Sequence, residues 1–154
     1  MTFGIDTFGC DHGRSGIGSY VLSLVRNLPD TPHRVELFGP ELDRYTYTSG
    51  MEHVAYEGIP VADSPLAERL WHLTRLNSFA KRRNYDAILF PAGMRLLPAF
   101  FDVPAVAVVQ DILSAFEKSS DDGLVNGFNK MQLKRVRRII AASRFIRDDL
   151  VNQK

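Results

Sequence analysis

The sequence predicts an α/β domain: a doubly wound, mainly parallel sheet of about six strands with helices on both faces. Three short runs, Ala87 to Phe90, Ala105 to Val109 and Ile139 to Ala142, are apolar on consecutive residues, as strands covered on both faces should be. Helix-period segments alternate with such runs, and the connections are mostly short. With 154 residues, 45% of them hydrophobic and 24% charged, the chain has the size and composition of one folded domain and not of a disordered or fibrous protein.

The elements follow in order. Phe3 to Thr7 reads as a first strand, followed by the turn-rich Gly9 to Ser15. Ile17, Val21, Leu24, Val25 and Leu28 share one helical stripe, which Pro29 closes. Val35 to Phe38 is a second strand, ended by Gly39-Pro40, and His53 to Tyr56 a weaker third. Ser64 caps a helix with Pro65 in its first turn; Leu66, Leu70, Leu73 and Ala80 form its stripe, and Lys81-Arg82-Arg83 suit the negative end of its dipole. Beyond the fifth strand, Leu124, Phe128 and Met131 mark another helix, and the last runs from about Arg144 to Val151.

Bulk charge favours no partner, since 19 Lys and Arg oppose 18 Asp and Glu. The distribution is uneven: residues 1 to 80 carry net −4 and residues 81 to 154 net +5. Lys130 to Arg147 holds seven cations and no acid, and without interleaved aromatics it does not suit nucleic acid. The single Cys10 allows no internal disulfide, and no Cys/His spacing suits zinc, so no metal and a reducing cytoplasmic setting are expected. No cleavable signal and no apolar run of membrane-spanning length is visible.

Ligands of such sheets bind outside the carboxyl ends of the strands, which directs attention to the loops there. The first loop, Cys10 to Tyr20, brings Gly16, Ile17, Gly18 and Ser19 to a helix start whose unpaired amides suit an anion, with Arg14 and His12 nearby. After the fifth strand come Gln110 and Asp111, the latter the best polar candidate for orienting a hydroxyl or for acid/base work. The loop after the fourth strand offers Gly93, Met94 and Arg95. A dinucleotide fingerprint is absent: nine residues separate Asp6 from Gly16, Val21 stands where a third glycine belongs, and Gly39-Pro40 replace the ribose-binding acid.

Taken in order, Gly4-Ile5-Asp6, Ser15 to Tyr20, Val35 to Pro40, Tyr85 to Pro91, Pro104 to Asp111 and Ala142 to Leu150 resemble the amino-terminal half of a group 1 glycosyltransferase of the mannosyltransferase-like family with the GT-B fold. The resemblance spans essentially the whole chain. It implies one Rossmann-like domain over residues 1–154, the acceptor side of a two-domain enzyme, with the C-terminal donor-binding domain outside this chain. The implied activity is retaining transfer of a hexosyl or mannosyl unit from a nucleotide-sugar to a glycan or lipid-linked acceptor, a role in polysaccharide biosynthesis for which the isolated chain is expected to be inactive.

Residue by residue, the resemblance places Gly16 to Ser19 toward the donor diphosphate, and Arg14, His12, Gly93, Met94 and Arg95 toward the acceptor. It implies no cofactor, since the nucleotide-sugar is a substrate. Family members often carry His-Asp where this chain has Gln110-Asp111, and glutamine cannot transfer a proton as imidazole does; Gln110 is therefore expected to orient and Asp111 to position the loop. Peripheral contact of the basic stretch with an anionic membrane is a further expectation. The rival reading is a non-catalytic α/β module that binds a sugar or a phosphate.

Overall fold

The computed structural model describes residues 1–28, 32–51, 54–111 and 123–152, with the backbone alone at 123–126 and 129. Pro29 and His53, and the side chain of Leu124, named above, lie outside the described residues. Six strands, β1 (Thr2–Asp6), β2 (Arg34–Pro40), β3 (Ala55–Ile59), β4 (Ala87–Phe90), β5 (Ala105–Val109) and β6 (Arg138–Ala141), form one sheet. Their order is β3-β2-β1-β4-β5-β6, and every pairing is parallel. The helices are α1 (Gly16–Arg26), α2 (Arg44–Thr48), α3 (Pro65–Thr74), α4 (Leu76–Arg82), α5 (Gly123–Leu133) and α6 (Arg144–Asn152). Short 3-10 turns at Asp11–Gly13 and Glu41–Asp43 follow β1 and β2. This is the α/β Rossmann-like architecture.

Consecutive apolar residues in a strand point to opposite faces, and each face has a core to receive them. Leu37 and Ile5 join Val21 and Val25 of α1 on one side. Phe38, Ile88 and Phe90 join Leu76 and Phe79 of α4 on the other. Gly4 permits an aromatic layer to lie against β1, because a Cβ there would come within 2.8 Å of the Tyr85 ring and 3.1 Å of the Phe38 ring.

Several expectations need correction. The helix begun by Ser64 is two helices, α3 and α4, broken at Arg75 (φ −118°, ψ −28°). Its leucine stripe does not face the core: Leu66 and Leu70 are exposed, whereas His72, Leu76, Phe79 and Ala80 are buried. The apolar face turns with the break, and its first half is anchored by a histidine that hydrophobic periodicity counts as polar. At the other end of the sheet, β6 is not covered on both faces. It is an edge strand, and Ile139 and Ile140 remain 40% and 42% exposed. On α5, Met131 is exposed, while Gln132 and Leu133 are buried.

Two buried ionic clusters brace the sheet. Near its amino edge, the Glu36 carboxylate binds Arg83, Arg34 at 2.9 Å and the Tyr85 hydroxyl at 2.7 Å. Burial raises the Glu36 pKa, but Arg83 and Tyr85 outweigh it and hold the carboxyl below its ordinary value. Arg83, placed by the sequence at the negative end of a helix dipole, is thus also a structural ion.

At the carboxyl end of β1, the Asp6 carboxylate accepts from Phe8 N–H at 2.9 Å and lies 2.7 Å from His72 Nε2. His72 Nδ1 is 2.8 Å from the Glu68 carbonyl, which can only accept, so Nδ1 carries a hydrogen and one further proton is shared between Nε2 and Asp6. Both side chains are buried, so removing one partner strands the other away from water.

Asp6→Ala or His72→Ala should therefore lower unfolding stability by about 3–5 kcal/mol in denaturant titrations. Asp6→Asn should cost much less, because its amide can donate to Nε2 while its oxygen still accepts from Phe8. Equal losses for the two Asp6 substitutions would show that this hydrogen-bond accounting is wrong.

Candidate functional site

Behind the carboxyl ends of β1, β2, β3 and β4 the chain forms a crevice of about 270 Å³. Thr7, Gly9 and Cys10 line it from the β1 exit, Asp43 from the turn after β2, Asp63, Ser64, Pro65, Glu68 and Arg69 at the start of α3, and Arg95 and Leu96 from the loop after β4. Asp6 and His72 lie beneath it, and they fix the two elements that form facing walls: the β1 exit through Phe8, and α3 through Glu68.

The β1 exit loop is tightly wound. Asp11 and His12 both adopt positive φ (51° and 54°), a region that Asp, Asn and His tolerate better than other side chains. This conformation directs His12 across the crevice, where Nδ1 meets Asp43 Oδ1 at 2.6 Å and Nε2 lies 3.5 Å from Asp63 Oδ1. Arg95 closes another side by binding Asp11 at 2.8 Å, while its carbonyl accepts from Arg69 at 2.9 Å.

Electrostatics within the crevice are set by burial and pairing. The hydrogen bond that His12 donates to Asp43 holds the imidazole protonated to a higher pH than usual, against a partial loss of hydration. Burial pushes the Asp43 carboxyl up by more than His12 brings it down. The contact between them is that of an imidazolium on a carboxylate over the range between their titrations. Burial, helped by Asp6, also raises Glu68. The Cys10 thiol is pushed up chiefly by burial and donates to the Asp6 and Phe8 carbonyls, so it is no nucleophile.

The glycine loop lies on the far side of the same turn. Ser15 caps α1: its hydroxyl accepts from Gly18 N–H at 3.2 Å and its carbonyl from Ser19 N–H at 2.9 Å. Of the four expected amides, those of Gly18 and Ser19 are thus engaged. Those of Gly16 and Ile17 have no partner recorded among the described residues, and Gly16 is exposed while Ile17 is buried. Gly18 is a packing glycine, because a Cβ there would overlap Gly13 and come within 2.7 Å of the Cys10 carbonyl. Gly16 faces open space apart from Gln110, whose Oε1 would lie 4.0 Å from a Cβ at that position.

The residues singled out from the sequence thus fall into two neighbouring groups. Gly16 meets Gln110 at the mouth of β5, with Asp111 exposed beyond it. His12 and Arg95 line the crevice, and Arg14 is exposed next to His12. Gly93 and Met94 do neither: Gly93 packs on Ala107, and Met94 is part of the core. Asp43, Asp63, Glu68 and Arg69 escaped the sequence reading. The signal for Asp63 was present, since it immediately precedes the Ser64-Pro65 helix start that follows a strand. Asp43 gave none, because its role depends on a pairing 31 residues away.

Among the described residues, no group of three or more His, Cys, Asp or Glu is placed to hold a metal ion, and no helix is long and apolar enough to cross a membrane.

The pairing sets a sign for pH dependence. His12 has a folded pKa above its ordinary 6.5, so its contribution to stability is complete below that value and disappears as pH rises through the folded one. Asp43 is also raised, so its own loss falls at lower pH, from 3.8 upward. Thermal melts should show stability falling as pH rises above about 6.5, and His12→Asn should flatten that segment. A slope unchanged by the substitution would assign it elsewhere. Gly18→Ala should cost about 1–3 kcal/mol by overpacking, whereas Gly16→Ala should stay within about 1 kcal/mol of the parent; similar losses would contradict the packing described.

The chain matches no curated protein and no solved structure. The family model described as Glycosyltransferase Family 4 matches residues 14–154, a span that takes in α1, five of the six strands and the crevice walls other than the β1 exit, whose Thr7 to His12 precede it. With that match over most of its length and the parallel Rossmann-like sheet it forms, the chain belongs to Glycosyltransferase Family 4.

Proposed function

We propose that this domain is the acceptor side of a retaining, nucleotide-sugar-dependent glycosyltransferase of the group 1, GT-B type. It transfers a hexosyl or mannosyl unit to a glycan or lipid-linked acceptor, and a second domain holds most of the donor. The observation that carries this reading is the adjacency of two different surfaces at the carboxyl end of one sheet. One is a hydrogen-bonding crevice lined by His12 and Arg95. The other is an open shelf where Gly16, whose amide has no partner among the described residues, lies beside Gln110.

In this reading the shelf meets the donor diphosphate. Backbone N–H groups at a helix start suit phosphate oxygens, and Gly16 leaves them accessible. The diphosphate contact rests on Gly16 and Ile17, since Ser15 takes the Gly18 and Ser19 amides. Gln110 orients a hydroxyl or the transferred sugar without moving a proton, and Asp111 shapes the loop. Arg14, His12 and Arg95 face the acceptor, whereas Gly93 and Met94 support the wall from behind. No metal or cofactor is needed for these contacts.

The face formed by β6, α5 and α6 supports peripheral membrane contact at the cytoplasmic side. Lys130, Lys134, Arg137, Arg138 and Arg147 surround a groove of about 560 Å³ also lined by Leu133, Val136 and Leu150, and no acid is among the described residues of its lining. Cations at such a surface are worth about 1 kcal/mol each toward anionic lipid.

The test is transfer from nucleotide-sugars by the enzyme that includes the donor-binding domain. Gly16→Val should reduce turnover on the order of tenfold or more with little change in melting temperature. Undiminished turnover would remove the shelf from the reaction.

A further inference from the structure

The crevice carries carboxylates and cations in pairs. Arg95 lies on Asp11 and His12 on Asp43, with Asp63, Glu68 and Arg69 completing the lining. A charged ligand entering here has to displace an internal partner or face a like charge, whereas an uncharged one adds hydrogen bonds and leaves the pairs in place. Its volume, near the ~300 Å³ lower end of small-molecule pockets, is of the order of a single sugar ring.

His12 supplies the specific contact. Asp43 fixes the ring by taking Nδ1–H, which leaves Nε2 directed toward Asp63 at 3.5 Å, too far for a good hydrogen bond. A hydroxyl oxygen placed on the crevice side can lie ~2.8 Å from both, accepting from Nε2–H and donating to the Asp63 carboxylate. Each hydroxyl function, one donor and one acceptor, is then used. A phosphate dianion has no hydrogen for Asp63, and an ammonium has no lone pair for Nε2.

We propose that the crevice binds an uncharged, hydroxyl-rich ring of the acceptor, with one hydroxyl gripped between His12 Nε2 and Asp63. This rests on the acceptor-side reading above and adds to it the chemical class of the group next to the reaction. The grip depends on pH. Asp43, Asp63, Arg14 and Glu68 are the charged groups that act on His12, and Asp43 keeps Nδ1 protonated. When Nε2 loses its proton, the hydroxyl faces two acceptors with one hydrogen and the grip fails.

The test is amide chemical-shift titration of the 154-residue chain with methyl α-glucopyranoside, methyl α-mannopyranoside and methyl α-galactopyranoside, alongside glucose 6-phosphate and glucosamine. At least one methyl glycoside should shift Gly9, His12, Asp63 and Arg95, bind more tightly than both charged probes, and weaken as pH rises through the His12 titration. Asp63→Asn, at a largely exposed side chain, should weaken binding about tenfold; His12→Asn, which suits the positive φ, should do the same and remove the pH dependence. Tighter binding of either charged probe, no glycoside shift at these amides, or unaltered binding by both variants would overturn the proposal. The readout is equilibrium binding, so such a result would leave transfer by the two-domain enzyme, measured separately, as the test of the broader reading.

Discussion

A carboxylate at the end of a central strand and an imidazole from a helix, both without access to water, determine how this domain presents its carboxyl edge. Asp6 cannot be buried alone, and the proton it shares with His72 binds α3 to the strand between β2 and β4. The same two side chains also take up main-chain groups, the Phe8 amide and the Glu68 carbonyl. The exit of β1 and the first two turns of α3 are therefore held in fixed relation, and the crevice is the space left between them. Apolar packing could hold α3 nearby, but it would not fix this register, because a leucine face slides more readily than a hydrogen-bonded pair.

The two ends of the sheet use charge differently. Near the amino edge, Glu36 is saturated by two arginines and a tyrosine, and the cluster closes the structure. At the carboxyl edge, His12, on a buried Asp43, and the Arg95–Asp11 pair remain partly exposed beside the crevice. The first arrangement is structural. The second retains hydrogen-bonding capacity and is restrained enough to be selective, as recognition of a small polar ligand requires.

Much of the fold was legible because it follows from local patterns. The runs at Ala87 to Phe90 and Ala105 to Val109 are strands with those boundaries, and Ser64 is the helix cap its sequence indicates, whereas the cap at Ser15 was read only as part of a turn. The break at Arg75 was not legible, since no proline or glycine marks it and the leucine spacing continues across it. His72 was invisible for a related reason. A buried histidine looks like an interruption in an apolar stripe until its partner, 66 residues earlier, is known. Of the site, loops could be nominated from the sheet's polarity, but not the division of labour within them. Gly16 and Gly18 look alike in the chain, yet one is open and the other is packed against backbone. Met94 looked available because its loop did, and only the fold shows that loop turning its middle inward.

In the proposed reading, two surfaces at one edge of a single sheet, one for hydroxyls and one for a diphosphate, belong to a domain whose chemistry is completed from across a cleft. A structure of the two-domain enzyme with acceptor bound tests this arrangement most directly. An acceptor hydroxyl should lie in the crevice between His12 and Asp63, with the reacting end directed toward Gly16 and Gln110. An acceptor seated along the β6–α6 face, with the crevice closed, would contradict it.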